Sequence, residues 1–143
     1  MKLWSLKDTR ILVVDDFPAM RSMMRAMLMA FGANNIKEAR TGEEALDFLA
    51  EETKDLVLCD YNLGEGKDGQ QVLEEAKERE LLPYSSIFIL TTAENTSDMV
   101  MGAVEFQPDE YLIKPFTKVV LQMRIRKMQE MATSLPRLAM TSK

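Results

Sequence analysis

Acidic side chains follow two apolar segments whose composition predicts buried β-strands. Asp15 and Asp16 come directly after Ile-Leu-Val-Val, and Asp60 comes directly after Leu-Val-Leu-Cys. In a parallel α/β sheet the carboxyl ends of the strands meet at one edge, where ligands bind. Three carboxylates at that edge would raise one another's pKa unless a cation lay among them, and an all-oxygen ligand set favours Mg2+. The sequence therefore predicts a magnesium site at Asp15, Asp16 and Asp60.

Two further polar residues follow later apolar segments. Thr92 ends the segment that begins Ile-Phe-Ile-Leu, and Lys114 follows Tyr-Leu-Ile and precedes Pro115. A lone aspartate after a strand is more often a helix cap, but a hydroxyl and an ammonium beside carboxylates suit a phosphoryl group. Because a carboxylate can attack phosphorus, Asp60 is the predicted nucleophile. The Lys114–Pro115 bond is a candidate cis peptide.

The composition indicates one globular domain and excludes several functions. The chain has 143 residues, of which 46% are hydrophobic, and a formal net charge of -5 that argues against nonspecific nucleic-acid binding. It has neither an apolar stretch of about 20 residues, as a membrane span requires, nor an apolar signal core, so we predict a cytoplasmic protein without membrane contact. A single cysteine excludes an internal disulfide, and the absence of histidine excludes a His-based triad or a phosphohistidine.

Short apolar segments alternate with helical patterns along the chain. Strands are predicted at residues 10–14, 35–39, 56–60, 86–90 and 110–113, and helices at 18–31, 41–49, 69–79, 96–104 and from a cap at Thr117 onward. Such alternation predicts a doubly wound α/β fold, in which right-handed crossovers cover both faces of a parallel sheet. The expected architecture is a flavodoxin-like, five-stranded sheet in the order 2-1-3-4-5.

The chain resembles the response regulator receiver domains of two-component signalling, the CheY-like family, in four motifs. In chain order these are VVDD at 13–16, LCDYN at 58–62, TAE at 92–94 and YLIKPF at 111–116. The resemblance covers roughly residues 9–129 and implies a (βα)5 receiver domain over residues 1–130. Residues 131–143 are then a C-terminal tail, or a linker if the natural protein continues beyond Lys143.

The resemblance implies a role for each polar residue at the predicted edge. Asp60 would accept a phosphoryl group from the phosphohistidine of a sensor histidine kinase or a phosphotransfer protein, with Lys114 beside it. Asp16, Asp60 and the backbone carbonyl of Asn62 would bind Mg2+, and Asp15 would act mostly through bound water. Such a domain is not an enzyme in the usual sense, since it catalyses only its own phosphotransfer and autodephosphorylation.

The resemblance also implies a switch. Thr92 and Tyr111 would respond to the phosphoryl group and alter the surface of the fourth predicted helix, the fifth strand and the fifth helix, which an unknown output partner or domain would read. On this surface the favoured explanation of the opposite charges is solvated helix faces, and the alternative is a weak homodimer across a two-fold axis. The basic residues are Lys118, Arg124, Arg126 and Lys127, the acidic ones Glu94, Asp98, Glu105 and Asp109, and the apolar neighbours Met99 and Met101.

One loop departs from the family pattern. Where the family usually has Met-Pro and then the glycine that opens the third helix, residues 63–69 read LGEGKDG, with glycine in place of proline and one extra residue. Two added glycines raise the conformational freedom of the loop. We therefore expect a less preorganised carbonyl at Asn62 and altered phosphorylation kinetics, without loss of phosphorylation.

Two other functions fit parts of the pattern. A Mg2+-dependent phosphatase of the dehalogenase type also uses an aspartate nucleophile, but it expects a second aspartate two residues later, where this chain has Asn62. A phosphorylation-independent interaction module on a receiver fold would be favoured if an acidic residue or Lys114 were missing. All of these residues are present, so the signalling switch is the leading hypothesis.

Overall fold

Five parallel strands form one sheet in the order β2-β1-β3-β4-β5. The computed structural model describes residues 3–93 and 106–134. The strands are β1 (Ile11–Val14), β2 (Ile36–Ala39), β3 (Leu56–Asp60), β4 (Ile87–Thr92) and β5 (Glu110–Ile113). This topology confirms the predicted doubly wound, flavodoxin-like fold.

Four helices flank the sheet within the described residues. They are α1 (Pro18–Ala30), α2 (Gly42–Glu51), α3 (Gly69–Glu78) and α4 (Lys118–Ser134), the last of which is the fifth helix of the sequence prediction. The predicted helix at residues 96–104 lies outside the described residues, as does the chain after Ser134. The α4 helix continues past residue 130, and the predicted domain boundary at that point stays a prediction.

Side-chain caps fix where α2 and α4 begin. The hydroxyl of Thr41 accepts a hydrogen bond from the Glu44 amide at the start of α2, and that of Thr117 accepts one from the Val120 amide at 3.2 Å at the start of α4. Each bond satisfies an amide that has no partner within the helix. The predicted cap at Thr117 is therefore confirmed, and the first turn of α4 is anchored close to the end of β5.

The sheet separates two apolar layers. Ile11 and Val13 of β1 contribute to a cluster that includes residues of α1 and α4, whereas Leu12 and Val14 contribute to a cluster with α2 and α3. This alternation follows from the two-residue period of a strand. Because both faces of β1, β3 and β4 are buried, these strands are apolar almost throughout, as the sequence indicated.

One strand is longer than predicted. β4 runs to Thr92, because its pairing with β5 continues through Thr91–Leu112 to Thr92–Ile113. Thr92 is thus the last residue of a buried strand, and its neighbour Thr91 is part of the sheet as well. Both hydroxyls therefore have positions fixed by the sheet, at the edge where the chemically important side chains meet.

Candidate functional site

The carboxyl ends of β1, β3, β4 and β5 meet at one crevice. The structure brings the predicted aspartates, Thr92 and Lys114 to this edge, as the parallel order of the strands requires. The residues that line the crevice are Asp16, Asp60, Tyr61, Asn62, Gly64, Thr92, Ala93 and Lys114. The residues that the sequence analysis grouped therefore lie close together in the structure, although the role of each residue stays a proposal.

A single ammonium group lies between two of the carboxylates. Lys114 Nζ is 3.1 Å from Asp15 Oδ2 and 3.2 Å from Asp60 Oδ1. Asp15 is fully buried, and Asp60 is only 8% exposed. Two buried anions need such compensation, since an uncompensated buried charge is strongly unfavourable.

Backbone contacts hold this arrangement in place. The Lys114 amide donates to the Thr92 carbonyl oxygen at 2.7 Å, and the Lys114–Pro115 peptide bond is cis, as the sequence suggested. The Phe17 amide donates to Asp15 Oδ1 at 2.9 Å. Asp15 is therefore fixed through one oxygen by backbone and through the other by Lys114.

The three carboxylates carry more negative charge than the Lys114 ammonium can compensate. Oxygens of Asp15, Asp16 and Asp60 all lie within 4.8 Å of one another, and Asp16 is exposed. Burial raises the pKa of Asp60 above its usual value; Lys114 opposes this rise, and the nearby Asp15 and Asp16 add to it. The site therefore holds excess negative charge that a second cation would neutralise.

The donor set fits a hard divalent cation. Carboxylate oxygens are ligands of Mg2+, which needs only one or two of them and fills its remaining positions with water or phosphate oxygens. Asp16 offers an exposed carboxylate, and Asp60 offers an oxygen beside it. The side-chain oxygen of Asn62 accepts a hydrogen bond from the Gly64 amide at 3.1 Å, so the ligand expected from this residue remains its backbone carbonyl.

The unusual loop after Asn62 uses its glycines for backbone geometry. Gly64 and Gly66 have φ angles of 77° and 87°, which other residues adopt only with strain. Beyond them Asp68 forms a capping box with Gln71, and Lys67 pairs with Glu75 at 3.0 Å. These contacts anchor the end of the loop to α3, while the predicted effect on phosphorylation kinetics stays a prediction.

Sequence reasoning recognised Gly69 only as the start of a helix, and its role in the site was missed. A Cβ atom at this position would overlap the backbone oxygen of Asp60 and would lie 2.7 Å from Leu90 Cδ1. The first residue of α3 therefore packs directly on the backbone of Asp60. The signal was present as the glycine after the long loop, but its reason requires the distance between α3 and β3.

The predicted switch pair occupies neighbouring strands. Thr92 is buried at the end of β4, and Tyr111 of β5 is half-buried and pairs in register with Leu90, two residues before Thr92. The Tyr111 hydroxyl lies 3.4 Å from Gln107 Oε1, and burial raises the pKa of Tyr111. Tyr111 packs against the cluster formed with α2 and α3. Thr92 follows Leu90, a residue of that cluster, at the two-residue period of β4. Thr92 and Tyr111 are therefore diagonal neighbours on one face of the sheet.

Comparison with known proteins shows the family. Residues 11–142 match the family described as response regulator receiver domain. The chemotaxis protein CheY-3 of Vibrio cholerae is 32% identical over 124 residues, which are 87% of this chain and 94% of that protein. The chemotaxis protein CheY of Pseudomonas aeruginosa is 33% identical over 121 residues, with 85% and 96% covered. The chain belongs to the response regulator receiver domain family.

A solved structure agrees with this assignment. The N-terminal domain of a response regulator/sensory box/GGDEF 3-domain protein from Carboxydothermus hydrogenoformans aligns with a TM-score of 0.77 and 25% identity, covering 88% of this chain and 98% of that one. The protein is thus a receiver domain of two-component signalling, with an acidic pocket that fits phosphorylation. Receiver domains are signalling domains and not classical enzymes. As a family they generally depend on Mg2+. They interact with histidine kinases or phosphotransfer proteins and with output domains. None of the described helices is both long and apolar enough to cross a membrane.

Mg2+ should raise the melting temperature of the unmodified protein. The cation relieves repulsion among Asp15, Asp16 and Asp60, and a ligand that binds only the folded state stabilises it. The rise should be much smaller in Asp16→Ala. Asp47→Ala, which removes an exposed aspartate of α2, is the control and should respond like the wild type. Equal rises in the wild type and Asp16→Ala would argue against this site.

Proposed function

We propose that the chain is a phosphorylation-activated switch in a two-component phosphorelay. Asp60 accepts a phosphoryl group from the phosphohistidine of a sensor histidine kinase or a phosphotransfer protein. Asp16, Asp60 and the backbone carbonyl of Asn62 hold Mg2+, and Asp15 acts mostly through bound water. The observation that carries the proposal is the position of Lys114, whose ammonium contacts Asp15 and Asp60 beside the exposed Asp16.

The chemistry requires a nucleophile, a neutralising charge and an external donor. An oxygen of Asp60 attacks phosphorus, an O–P bond forms, and the P–N bond of the donor breaks with its electron pair left on the imidazole nitrogen. Since these 143 residues contain no histidine, the phosphohistidine lies outside them. Lys114 is drawn to the phosphoryl oxygens as charge builds on them, and bound Mg2+ supplies further neutralisation.

The signal leaves through Thr92 and Tyr111. Phosphorylation adds acceptor oxygens near the end of β4, and the Thr92 hydroxyl moves to donate a hydrogen bond to one of them. The ring of Tyr111, its diagonal neighbour on the same face, turns into the space that Thr92 leaves. The phosphoryl group thereby biases an equilibrium between two arrangements of β5 and the elements beside it.

An output partner has an exposed apolar surface to read beside β5. A crevice borders Tyr111 and continues along the start of α4. Ile113, Val119 and Met123, three apolar residues of β5 and α4, are each more than half exposed. Exposed apolar residues grouped in this way are typical of surfaces that bind other proteins, so we assign the readout of the switch to this surface.

The predicted homodimer gains less support. Arg124 pairs with Glu110 of the same chain at 3.0 Å, and the Arg126 guanidinium lies 5.6 Å from the centre of the Trp4 ring. Two of the four basic residues assigned to the dimer therefore already have partners within the chain. The residues Glu94, Asp98, Met99, Met101 and Glu105 lie outside the described residues, and the homodimer stays a prediction.

Asp60 should be the only residue that is phosphorylated. Incubation with acetyl phosphate and Mg2+ should add the mass of one phosphoryl group to the intact protein, and Asp60→Asn should gain none. Asp55→Asn, which alters the aspartate paired with Arg10 before β3, is the control and should be labelled like the wild type. Full labelling of Asp60→Asn would refute the assignment, and an unlabelled wild type would favour a phosphorylation-independent interaction module.

Thr92→Ala should separate phosphorylation from its signal. The variant keeps Asp60 and Lys114, so it should still be labelled, although more slowly. It should lose the phosphorylation-dependent change in the amide spectra around Tyr111, because the hydroxyl that moves is absent. Thr92→Ser retains the hydroxyl and should keep the change. A full spectral response in Thr92→Ala would show that the signal takes another route.

A further inference from the structure

Thr91, the residue before the predicted switch threonine, has a buried hydroxyl without a partner among the described residues. Its side chain is completely inaccessible to solvent, and its Oγ1 makes no hydrogen bond within that part of the chain. Buried polar atoms in native proteins almost always have a partner, so an exception needs a physical reason. A valine would fill nearly the same volume without the unpaired hydroxyl, which makes the threonine at this position informative.

The sheet places Thr91 beside the predicted phosphoacceptor. Thr91 pairs in register with Asp60 on β3 and with Leu112 on β5. It follows Ile87 and Ile89 at the two-residue period of β4, and these two residues belong to the cluster shared with α1 and α4. Thr91 therefore shares its face of the sheet with Asp60, whereas Thr92 is on the opposite face.

The donors available to Asp60 must change when it is phosphorylated. In the unmodified protein Lys114 Nζ contacts Asp60 Oδ1 at 3.2 Å. The added phosphoryl group carries more negative charge than the carboxylate it replaces, and it attracts the ammonium. The carboxyl oxygen of Asp60 that is not bonded to phosphorus would bind Mg2+ in the proposed site, and its second lone pair is left to accept a hydrogen bond. The hydroxyl of Thr91, in register with Asp60, is a donor without another partner among the described residues.

We propose that Thr91 is a positioning residue whose hydroxyl is unpaired in the unmodified protein and donates to the Asp60 carboxyl group in the phosphorylated protein. The inference rests on phosphorylation at Asp60, and it adds a second hydroxyl on the face opposite Thr92. A group that is satisfied in only one of two states shifts the equilibrium toward that state. Thr91 thereby favours the phosphorylated form without contacting the phosphoryl oxygens.

Beryllofluoride, which forms a phosphoryl-like adduct on a carboxylate, provides the test together with Mg2+. Melting temperatures are measured over a beryllofluoride series for the wild type and for Thr91→Val, Thr91→Ala and Thr91→Ser. Valine and alanine lack the hydroxyl, whereas serine keeps it. Ser86→Ala is the matched control, because it removes a buried hydroxyl just before the same strand that does have a partner, the Lys54 carbonyl oxygen.

We expect Thr91→Val to melt no lower than the wild type without beryllofluoride, and to need roughly fivefold more of it for half of the thermal shift, as the loss of one hydrogen bond implies. Thr91→Ala should show the same weakening from a lower starting temperature, and Thr91→Ser should bind like the wild type. Ser86→Ala should melt lower and keep the wild-type response. Equal beryllofluoride dependence in the wild type and the two hydroxyl-free variants would overturn the inference. A wild type that does not respond at all would instead overturn the proposed phosphorylation of Asp60, and this inference with it.

Discussion

The receiver domain depends on one imbalance of charge, in which a single ammonium group serves a cluster of three carboxylates. Lys114 compensates Asp15 and Asp60, both buried, and leaves Asp16 to solvent. Burial, together with the remaining negative charge, raises the pKa of Asp60, and that charge would favour a cation in the crevice. The same imbalance makes the site sensitive to added charge. A new anion in the crevice would compete with Asp15 and Asp60 for the Lys114 ammonium.

Much of the fold serves to keep these charges close. Parallel strands bring β1, β3 and β5 to one edge, and backbone contacts then fix the side chains that those strands end with. Gly69 lets α3 pack on the backbone of Asp60, and the amide of Phe17 holds Asp15. Carboxylates on more flexible segments would move apart and relieve their repulsion. The rigid core of the sheet prevents this.

At the end of β4 two threonines with different proposed roles lie on opposite faces of the sheet. Thr92 shares one face with Tyr111, which borders the exposed apolar surface beside β5. Thr91 is on the other face, in register with Asp60 and Leu112. We therefore propose different tasks for these adjacent residues of one strand: Thr92 transmits the change, and Thr91 sets how stable the changed state is.

The sequence predicts the strands and the polar residues at their ends well, for a physical reason. Strands buried on both faces are nearly continuous apolar segments, and the aspartates at the ends of β1 and β3, Asp15 and Asp60, are therefore conspicuous. Contacts between side chains distant in the chain are not visible in this way. The packing of Gly69 on Asp60, the pairing of Arg124 with Glu110 and the unpaired hydroxyl of Thr91 depend on distances that only the assembled sheet sets.

The most direct test of the charge imbalance is the pKa of Asp60, measured by following its side-chain carboxyl carbon by NMR as a function of pH. Without Mg2+ the pKa should lie above the ordinary value of an aspartate, about 3.9, because burial and two neighbouring carboxylates outweigh Lys114. Saturating Mg2+ should lower it, since a bound cation favours the ionised form. A pKa at or below the ordinary value without Mg2+, unchanged when Mg2+ is added, would contradict the account.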